Sequence, residues 1–416
     1  MLPYGRQSID EGDIAAVTGV LRSDFLTGGP KVAEFEQRFA EKAGAKYAVA
    51  VNSATAALHL AMRVGGIGPG DRVITSPNTF LASANCAAFV GATPDFADID
   101  PVSFNLDPAC LERAWRADTK AVVVVDYAGQ PCDMPVIASI ARERGAIVIE
   151  DACHGVGGGF AHEGRIWKTG GHPWADMTVF SFHPVKTMTT GEGGMLVTDN
   201  EEWARIARQL RSHGVIREGF AGLGADDDAD LAEQGPWYYE MQALGYNYRI
   251  TDIQCALGLS QLARLDEFIA RRREIVARYN EALAGLPLLT TPGLRNSSSQ
   301  EFISWHLYTV QLDFRAIRKT RTEVMAELRG KGISTQVLYI PVHLQPWYRK
   351  NYGYGPGKCP MAENYYRRTL SLPLFSAMTN DDVRRVIDSL KEVIERRPGQ
   401  DQGSFGKPLN KAHPIK

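Results

Sequence analysis

Between residues 45 and 200, short apolar segments alternate with stretches of helical spacing. We predict strands at 47–51, 72–75, 93–96, 121–125, 146–150, 178–182 and 194–198. Continuous apolar strands interleaved with helices are typical of a mostly parallel sheet that is covered on both faces. The pattern therefore predicts an α/β fold in which ligands bind beyond the carboxyl ends of the strands. Ser53, Asp126 and Asp151 fall at such ends.

The length of the chain predicts two domains. Its 416 residues exceed the roughly 250–300 that one hydrophobic core usually holds. We predict a large domain over residues 1–255, including an N-terminal arm, and a smaller α/β domain over 256–396. Residues 397–416 lack periodicity, which predicts a disordered tail. The elements predicted after residue 250 are helices at 253–283, 321–331 and 381–396 and strands at 308–312 and 334–340.

The composition is that of an ordinary soluble protein. Lys+Arg of 46 against Asp+Glu of 48 gives a net charge of −2, so no basic excess indicates a nucleic-acid partner. We find neither a signal peptide nor an apolar run of transmembrane length. The six cysteines form no CxxC pair and are typical of reduced thiols, not of a disulfide framework or a zinc site. We expect a cytoplasmic enzyme or binding protein with no membrane partner.

Lys186 and Asp151 are the two residues that indicate a chemistry. Lys186 ends the segment 181–186, Ser-Phe-His-Pro-Val-Lys, and glycines follow it at 191, 193 and 194, whereas Asp151 closes an apolar run. A lone lysine is usually a solvated surface residue. A lysine on a glycine-flanked loop together with a carboxylate at a strand end is what pyridoxal phosphate (PLP) requires, because the amine holds the aldehyde as a Schiff base and the carboxylate keeps the ring nitrogen protonated. The pair predicts a PLP enzyme.

Three further features have both a functional and a structural interpretation. The segment 52–58, Asn-Ser-Ala-Thr-Ala-Ala-Leu, opens a helix after a strand and suits a bound phosphate, although a plain Ser/Thr N-cap explains it equally well. Phe80 follows a strand and is placed either to stack on a planar cofactor or to fill the core. His154 lies three residues after the aspartate and either faces the cofactor or is structural.

Together these segments resemble the DegT/DnrJ/EryC1/StrS family of sugar aminotransferases, which are PLP enzymes of fold type I. The resemblance runs from Tyr4 to about Arg396. It implies a large domain with a mostly parallel seven-stranded sheet and a smaller α/β C-terminal domain. The motifs that carry it are Leu26-Thr-Gly-Gly-Pro, Asn52-Ser-Ala-Thr-Ala-Ala-Leu, Glu150-Asp-Ala-Cys-His, Ser181-Phe-His-Pro-Val-Lys and Gly245-Tyr-Asn-Tyr-Arg-Ile-Thr-Asp.

The resemblance also implies roles for individual residues. Lys186 would carry the Schiff base and Asp151 would bind the ring nitrogen, while Phe80 would stack on the ring and His154 would lie near the ring hydroxyl. The residues implied for the cofactor phosphate are Ala54, Thr55, Ser181 and, from the second subunit of a homodimer with shared active sites, Asn247. The residues implied for the substrate are Tyr4, Leu26, Thr27, Gly28, Gly29, Gln336, Tyr339 and, from proximity alone, His343.

Within the family, segments 125–129, 189–194 and 335–339 are most similar to the pseudaminic-acid branch. Enzymes of that branch transfer the amino group of L-glutamate to C4 of a UDP-linked 2-acetamido-2,6-dideoxy-4-keto sugar (a UDP-4-keto-6-deoxy-HexNAc). The product is UDP-4-amino-4,6-dideoxy-N-acetyl-β-L-altrosamine. Residues 184–185 and 187–188 vary among relatives, and the acidic stretch 218–234, which we predict to be a loop, has no assigned role. These departures affect the choice of sugar more than the chemistry.

There are three alternatives, and the sequence argues against the second and the third. An aminotransferase for another nucleotide-linked keto-deoxysugar would use nearly the same residues. A sugar 3-dehydratase of the same family carries histidine in place of the Schiff-base lysine, so Lys186 argues against it. A non-catalytic PLP-binding or regulatory protein would need a DNA-binding head before residue 45, where we expect only a short helix such as 10–22.

Overall fold

The computed structural model describes residues 1–223, 234–295 and 297–395. Within these residues the strands are Tyr47–Val51 (β1), Arg72–Thr75 (β2), Thr93–Phe96 (β3), Thr119–Val125 (β4), Ile147–Asp151 (β5), Gly159–His162 (β6), Arg165–Lys168 (β7), Met177–Ser181 (β8), Gly194–Thr198 (β9), Val215–Ile216 (β10), Glu240–Met241 (β11), Leu289–Thr290 (β12), Tyr308–Leu312 (β13) and Thr369–Leu372 (β14). The α-helices are Glu11–Leu21 (α1), Pro30–Ala43 (α2), Ala54–Val64 (α3), Ala82–Phe89 (α4), Pro108–Ala114 (α5), Met134–Arg142 (α6), Glu201–Arg211 (α7), Asp252–Ala263 (α8), Leu265–Leu283 (α9), Phe314–Ile317 (α10), Arg321–Gly330 (α11), Pro346–Tyr352 (α12), Pro360–Arg368 (α13) and Asn380–Glu395 (α14).

The central sheet has seven strands in the order β1-β9-β8-β5-β4-β2-β3. Every strand is parallel to the others except β9, which is antiparallel to both of its neighbours. Successive residues of β4 pack on opposite sides, Val123 against a cluster with α3 and Val124 against a cluster with α6. Burial on both faces explains why these strands read as continuous apolar runs. The predicted α/β architecture with a mostly parallel sheet is confirmed.

Two local predictions are wrong. Residues 334–340 form no strand; Gln336 makes one isolated bridge to Ser371, and β14 pairs with β13 instead. A second helix, α2, lies before residue 45, with Pro30 at its start and the left-handed Gly44 at its end. The hairpin of β6 and β7 was not predicted. Each difference arises because strand pairing and helix packing depend on tertiary contacts, which the local sequence pattern does not specify.

The C-terminal part has its own hydrophobic cluster, which packs α9, α11 and α14 on the antiparallel sheet β12-β13-β14. The N-terminal arm joins this cluster, because Leu2 is buried in it and pairs with Ile333. A hydrogen bond from Leu374 N–H to the Tyr4 carbonyl continues this contact. These contacts of the arm place Tyr4 between the C-terminal part and the central seven-stranded sheet. The domain division at residue 255 stays a prediction.

Some predictions fall outside the described residues. These are the tail 397–416 and most of the acidic stretch, namely 224–233. In the described part of the chain, no helix combines the length and apolar character that a membrane crossing needs.

Candidate active site

A cavity of about 360 Å³ lies at the carboxyl ends of β5 and β8. It brings together residues that are far apart in the sequence. The predicted cofactor residues that line it are Lys186, Asp151, Ala54, Thr55, Phe80, His154 and Ser181, and the predicted substrate residues that line it are Tyr4 and Tyr339. The position agrees with the rule that open α/β sheets bind ligands beyond the carboxyl ends of their strands.

Asp151 is the last residue of β5 and is only 5% exposed. One carboxylate oxygen, Oδ2, accepts a hydrogen bond from Ser83 Oγ at 2.6 Å. The other, Oδ1, accepts the Cys153 backbone N–H at 3.2 Å. A buried carboxylate needs such donors. Glu150, which precedes it, points to the other side of the strand and contacts His172 at 3.0 Å between Oε1 and Nε2.

Lys186 is half-buried on the loop between β8 and β9. The loop folds back on itself, because Thr189 Oγ1 and Thr190 N–H both donate to the Phe182 carbonyl, at 2.9 and 3.0 Å. Burial lowers the pKa of the Lys186 amine, while the charge of nearby Asp151 partly opposes the shift. A lowered pKa increases the fraction of neutral amine, which is the nucleophilic form.

The start of α3 borders the cavity and offers the groups of an anion-binding cradle. Ser53 caps the helix, accepting the Ala56 N–H at 3.2 Å. The N–H groups of the first helical residues, Ala54 and Thr55, have no acceptor inside a helix and carry its positive dipole end. Ser181, which is 8% exposed, also lines the cavity and pairs with Gly194 of β9. These groups suit a phosphate.

Gly194 makes the close approach of β9 to this cradle possible. A Cβ at this position would lie 2.5 Å from the Ala54 nitrogen and from the Ser53 carbonyl carbon. We predict that Gly194→Ala displaces the start of α3, costs about 1–3 kcal/mol of stability and weakens PLP binding. The measurements are thermal unfolding and titration of the protein with PLP.

Gly68→Ala is the matched control, since a Cβ there meets no atom within 4 Å. Unchanged PLP affinity in the Gly194→Ala variant would contradict the assignment of the cradle.

His154 is held in one tautomer beside the cavity. Its Nδ1 accepts the Ala128 N–H at 3.2 Å, so a neutral ring carries its proton on Nε2, which lies 3.3 Å from Tyr339 Oη. Burial first, and then the charge of Lys186, lower the pKa of His154 well below its usual value. Burial likewise raises the pKa of Tyr339. Both side chains are therefore neutral near pH 7.

Phe80 lies at the mouth of the cavity. Phe80 is 58% exposed, which is unusual for a large apolar residue. The ring centroid lies 6.3 Å from that of Tyr339. An exposed aromatic ring that faces a cavity is placed to cover a flat ligand.

The structure does not bring the remaining predicted residues to this cavity. Asn247 is exposed, and its carbonyl accepts from Asn52 Nδ2 at 3.4 Å. Gln336 is exposed, whereas His343 is fully buried with its Nε2 3.1 Å from Glu363 Oε1. The other predicted substrate residues lie near the start of α8. They are Leu26, Thr27, Gly28 and Gly29. Their roles in binding stay predictions.

Sequence reasoning missed Ser83, Thr79 and Cys153, which also line the cavity. Ser83 lies in the small-residue helix α4, where a serine has no distinguishing local pattern. Cys153 is two residues after Asp151 and follows the same strand end, so its position was available from the motif.

The comparisons with known proteins agree with this geometry. The model of the DegT/DnrJ/EryC1/StrS aminotransferase family matches residues 7–391. The chain belongs to this family. The spore coat polysaccharide biosynthesis protein SpsC of Bacillus subtilis is 45% identical over 395 residues, which cover 95% of this chain and 97% of SpsC.

Two solved structures share the fold over 95% of this chain. Helicobacter pylori PseC, an aminotransferase involved in the biosynthesis of pseudoaminic acid, has a TM-score of 0.83 with 30% identity and 99% of its chain covered. Spr1654 of Streptococcus pneumoniae, described as a candidate sugar aminotransferase, has a TM-score of 0.84 in its PLP form, with 30% identity and 98% covered. It has also been solved in a PMP form.

This member of the family is therefore a PLP-dependent sugar aminotransferase. The residues of the cavity fit the cofactor: Lys186 offers an amine, Asp151 a buried carboxylate, and the start of α3 a cradle for the phosphate. Bound PLP supplies an electron sink for the reaction. Fold type I is also confirmed by these relatives.

Proposed function

We propose that the enzyme transfers the amino group of L-glutamate to C4 of a UDP-linked 2-acetamido-2,6-dideoxy-4-keto sugar. The product would be UDP-4-amino-4,6-dideoxy-N-acetyl-β-L-altrosamine, an intermediate of pseudaminic acid biosynthesis. The observation that carries the proposal is the cavity that Lys186 shares with an aromatic rim of Tyr4, Phe80 and Tyr339. Such a rim suits the apolar face of a deoxysugar. The likeness to PseC over nearly the whole chain supports the choice of pathway.

In this mechanism, two residues act on protons. Lys186 Nζ removes the proton from Cα of glutamate and later returns one, a role that contributes about 10²–10⁴-fold in rate. The depressed pKa of Lys186 favours the neutral base that this role needs. Asp151 holds a proton on the ring nitrogen of bound PLP, which strengthens electron withdrawal by the ring. The same residues act in reverse order on the keto sugar.

A second candidate is amination of another nucleotide-linked keto-deoxysugar. The 45% identity to SpsC, which is named for spore coat polysaccharide biosynthesis, favours this possibility. Thr189 and Thr190, two of the residues that suggested the pseudaminic-acid branch, are buried and hydrogen-bonded within their own loop. We also propose a homodimer, in which the exposed Asn247 of each chain would reach the phosphate site of the other.

A panel of nucleotide keto-sugars tests the choice of substrate. We predict that the enzyme with L-glutamate aminates the UDP-4-keto-6-deoxy-HexNAc faster than its dTDP-linked and 3-keto counterparts, and mass spectrometry measures each product. Faster amination of a dTDP-linked or 3-keto sugar would replace the proposal with the second candidate. Conversion of PLP to its aminated form by glutamate alone, seen as an absorbance change, serves as the control for active enzyme.

A further inference from the structure

Asp151 lies at the end of a short chain of buried hydroxyl groups. Ser83 Oγ is 2.6 Å from Asp151 Oδ2, and Thr79 Oγ1 is 2.7 Å from Ser83 Oγ. Ser83 is 1% exposed and Thr79 is 3% exposed. Both also border the cavity. These two hydroxyl groups therefore connect Asp151 to the segment that carries Phe80.

The direction of these hydrogen bonds follows from the chemistry of the groups. An ionised carboxylate only accepts, so the single hydroxyl proton of Ser83 points to Asp151. Ser83 then has no proton left for Thr79, which must donate its own to Ser83. Both protons point towards Asp151, and each bond in such a chain polarises and strengthens the next.

The surroundings of Ser83 favour this arrangement over simple packing. A serine in the first turn of a helix can bond to the local backbone, and Ser83 Oγ does lie 3.4 Å from the Phe80 carbonyl. That contact is far longer than the 2.6 Å bond to Asp151, which has the length of a charge-assisted O–H···O⁻ hydrogen bond. With the Cys153 N–H on Oδ1, the carboxylate is held from two directions.

We propose that Ser83, supported by Thr79, is a positioning residue that orients the Asp151 carboxylate towards the ring nitrogen of PLP. The hydroxyl stabilises the negative charge of Asp151, so the proton shared between carboxylate and ring stays on the ring. The role concerns the cofactor and does not depend on which sugar is aminated.

The test is Ser83→Ala in the full-length protein, with PLP removed and titrated back. We expect the dissociation constant for PLP to rise about tenfold, because the Asp151 carboxylate loses the donor that holds it towards the ring nitrogen. In the reloaded protein, the midpoint of the pH titration of the cofactor absorbance moves to higher pH, because a less protonated ring withdraws fewer electrons from the Schiff base. Ser83→Thr keeps the hydroxyl and restores both values.

Two further variants separate positioning from packing. Thr79→Val removes only the outer hydroxyl and is expected to shift both values in the same direction by a smaller amount. Ser76→Ala deletes another buried serine hydroxyl, which accepts the Asn78 N–H and does not border the cavity, and leaves both values unchanged.

The proposal is overturned if Ser83→Ala binds PLP with wild-type affinity and keeps the absorbance midpoint. It is also overturned if Ser83→Thr is as impaired as Ser83→Ala, because the loss would then come from packing. Both measurements use PLP without a sugar, so failure of the proposed substrate leaves their outcome unaffected.

Discussion

We expect Lys186→Ala protein to be inactive: its rate of transamination should be too low to measure beside that of the wild type. The substitution removes the only lysine that lines the cavity among the described residues. Loss of proton transfer alone costs about 10²–10⁴-fold in rate, and the loss of the amine that we propose for the cofactor's aldehyde adds to it. The measurement is single-turnover absorbance with glutamate, followed by mass spectrometry of the aminated sugar.

Lys120→Ala is the matched control for this experiment, because Lys120 is an exposed lysine on β4. It should show wild-type turnover. Complete cycles by Lys186→Ala protein at a rate near that of the control would show that another group moves the proton from glutamate.

Asp151→Ala is expected to fold and to lose most of its turnover. The substitution removes the negative charge that we propose for the ring nitrogen, and it leaves the Ser83 hydroxyl and the Cys153 N–H without their acceptor. Loss of one preorganised electrostatic group in an active site costs about 10²–10³-fold in kcat. The measurement is the rate of the glutamate half-reaction at saturating PLP, with circular dichroism to verify the fold.

Asp151→Asn separates charge from shape. It retains an oxygen that can accept from Ser83 but carries no charge, so it should be nearly as slow as Asp151→Ala. Asp133→Asn, at the start of α6 and away from the cavity, is the control and should be unaffected. Near-normal turnover in both Asp151 variants would refute the assignment of Asp151 to the ring nitrogen.

The central sheet was predictable because its signal is local. Strands buried on both faces must be apolar along their length, so 121–125 and 194–198 stand out without knowledge of their partners. Helix α2 was also recognisable in principle, from Pro30 at its start and Gly44 at its end. Residues 334–340 have a strand-like composition, yet the neighbouring strand β13 pairs with β14. Which of two strand-like segments pairs with β13 depends on the tertiary structure.

The site divides in the same way. Lys186 and Asp151 were predicted because each belongs to a motif in which neighbouring residues restrict the chemistry, and the structure brings both to the cavity. Tyr4 and Tyr339 were placed by family resemblance, and the structure brings both to the cavity. His343 was placed by proximity in the sequence, and the structure buries it against Glu363. A short distance in the sequence to other predicted site residues therefore does not predict that a side chain reaches the cavity.

The sequence by itself determined the fold class and the family, and it predicted Lys186 and Asp151 as the residues for the cofactor chemistry. These depend on local patterns: apolar runs, a strand end and a glycine-flanked loop. Only the tertiary structure decided what surrounds Asp151. Ser83 lies 68 positions away along the chain, and its hydroxyl reaches the carboxylate because α4 packs on β2, β3 and β4 of the same sheet. A contact between distant segments depends on how every intervening element packs, which no local pattern records.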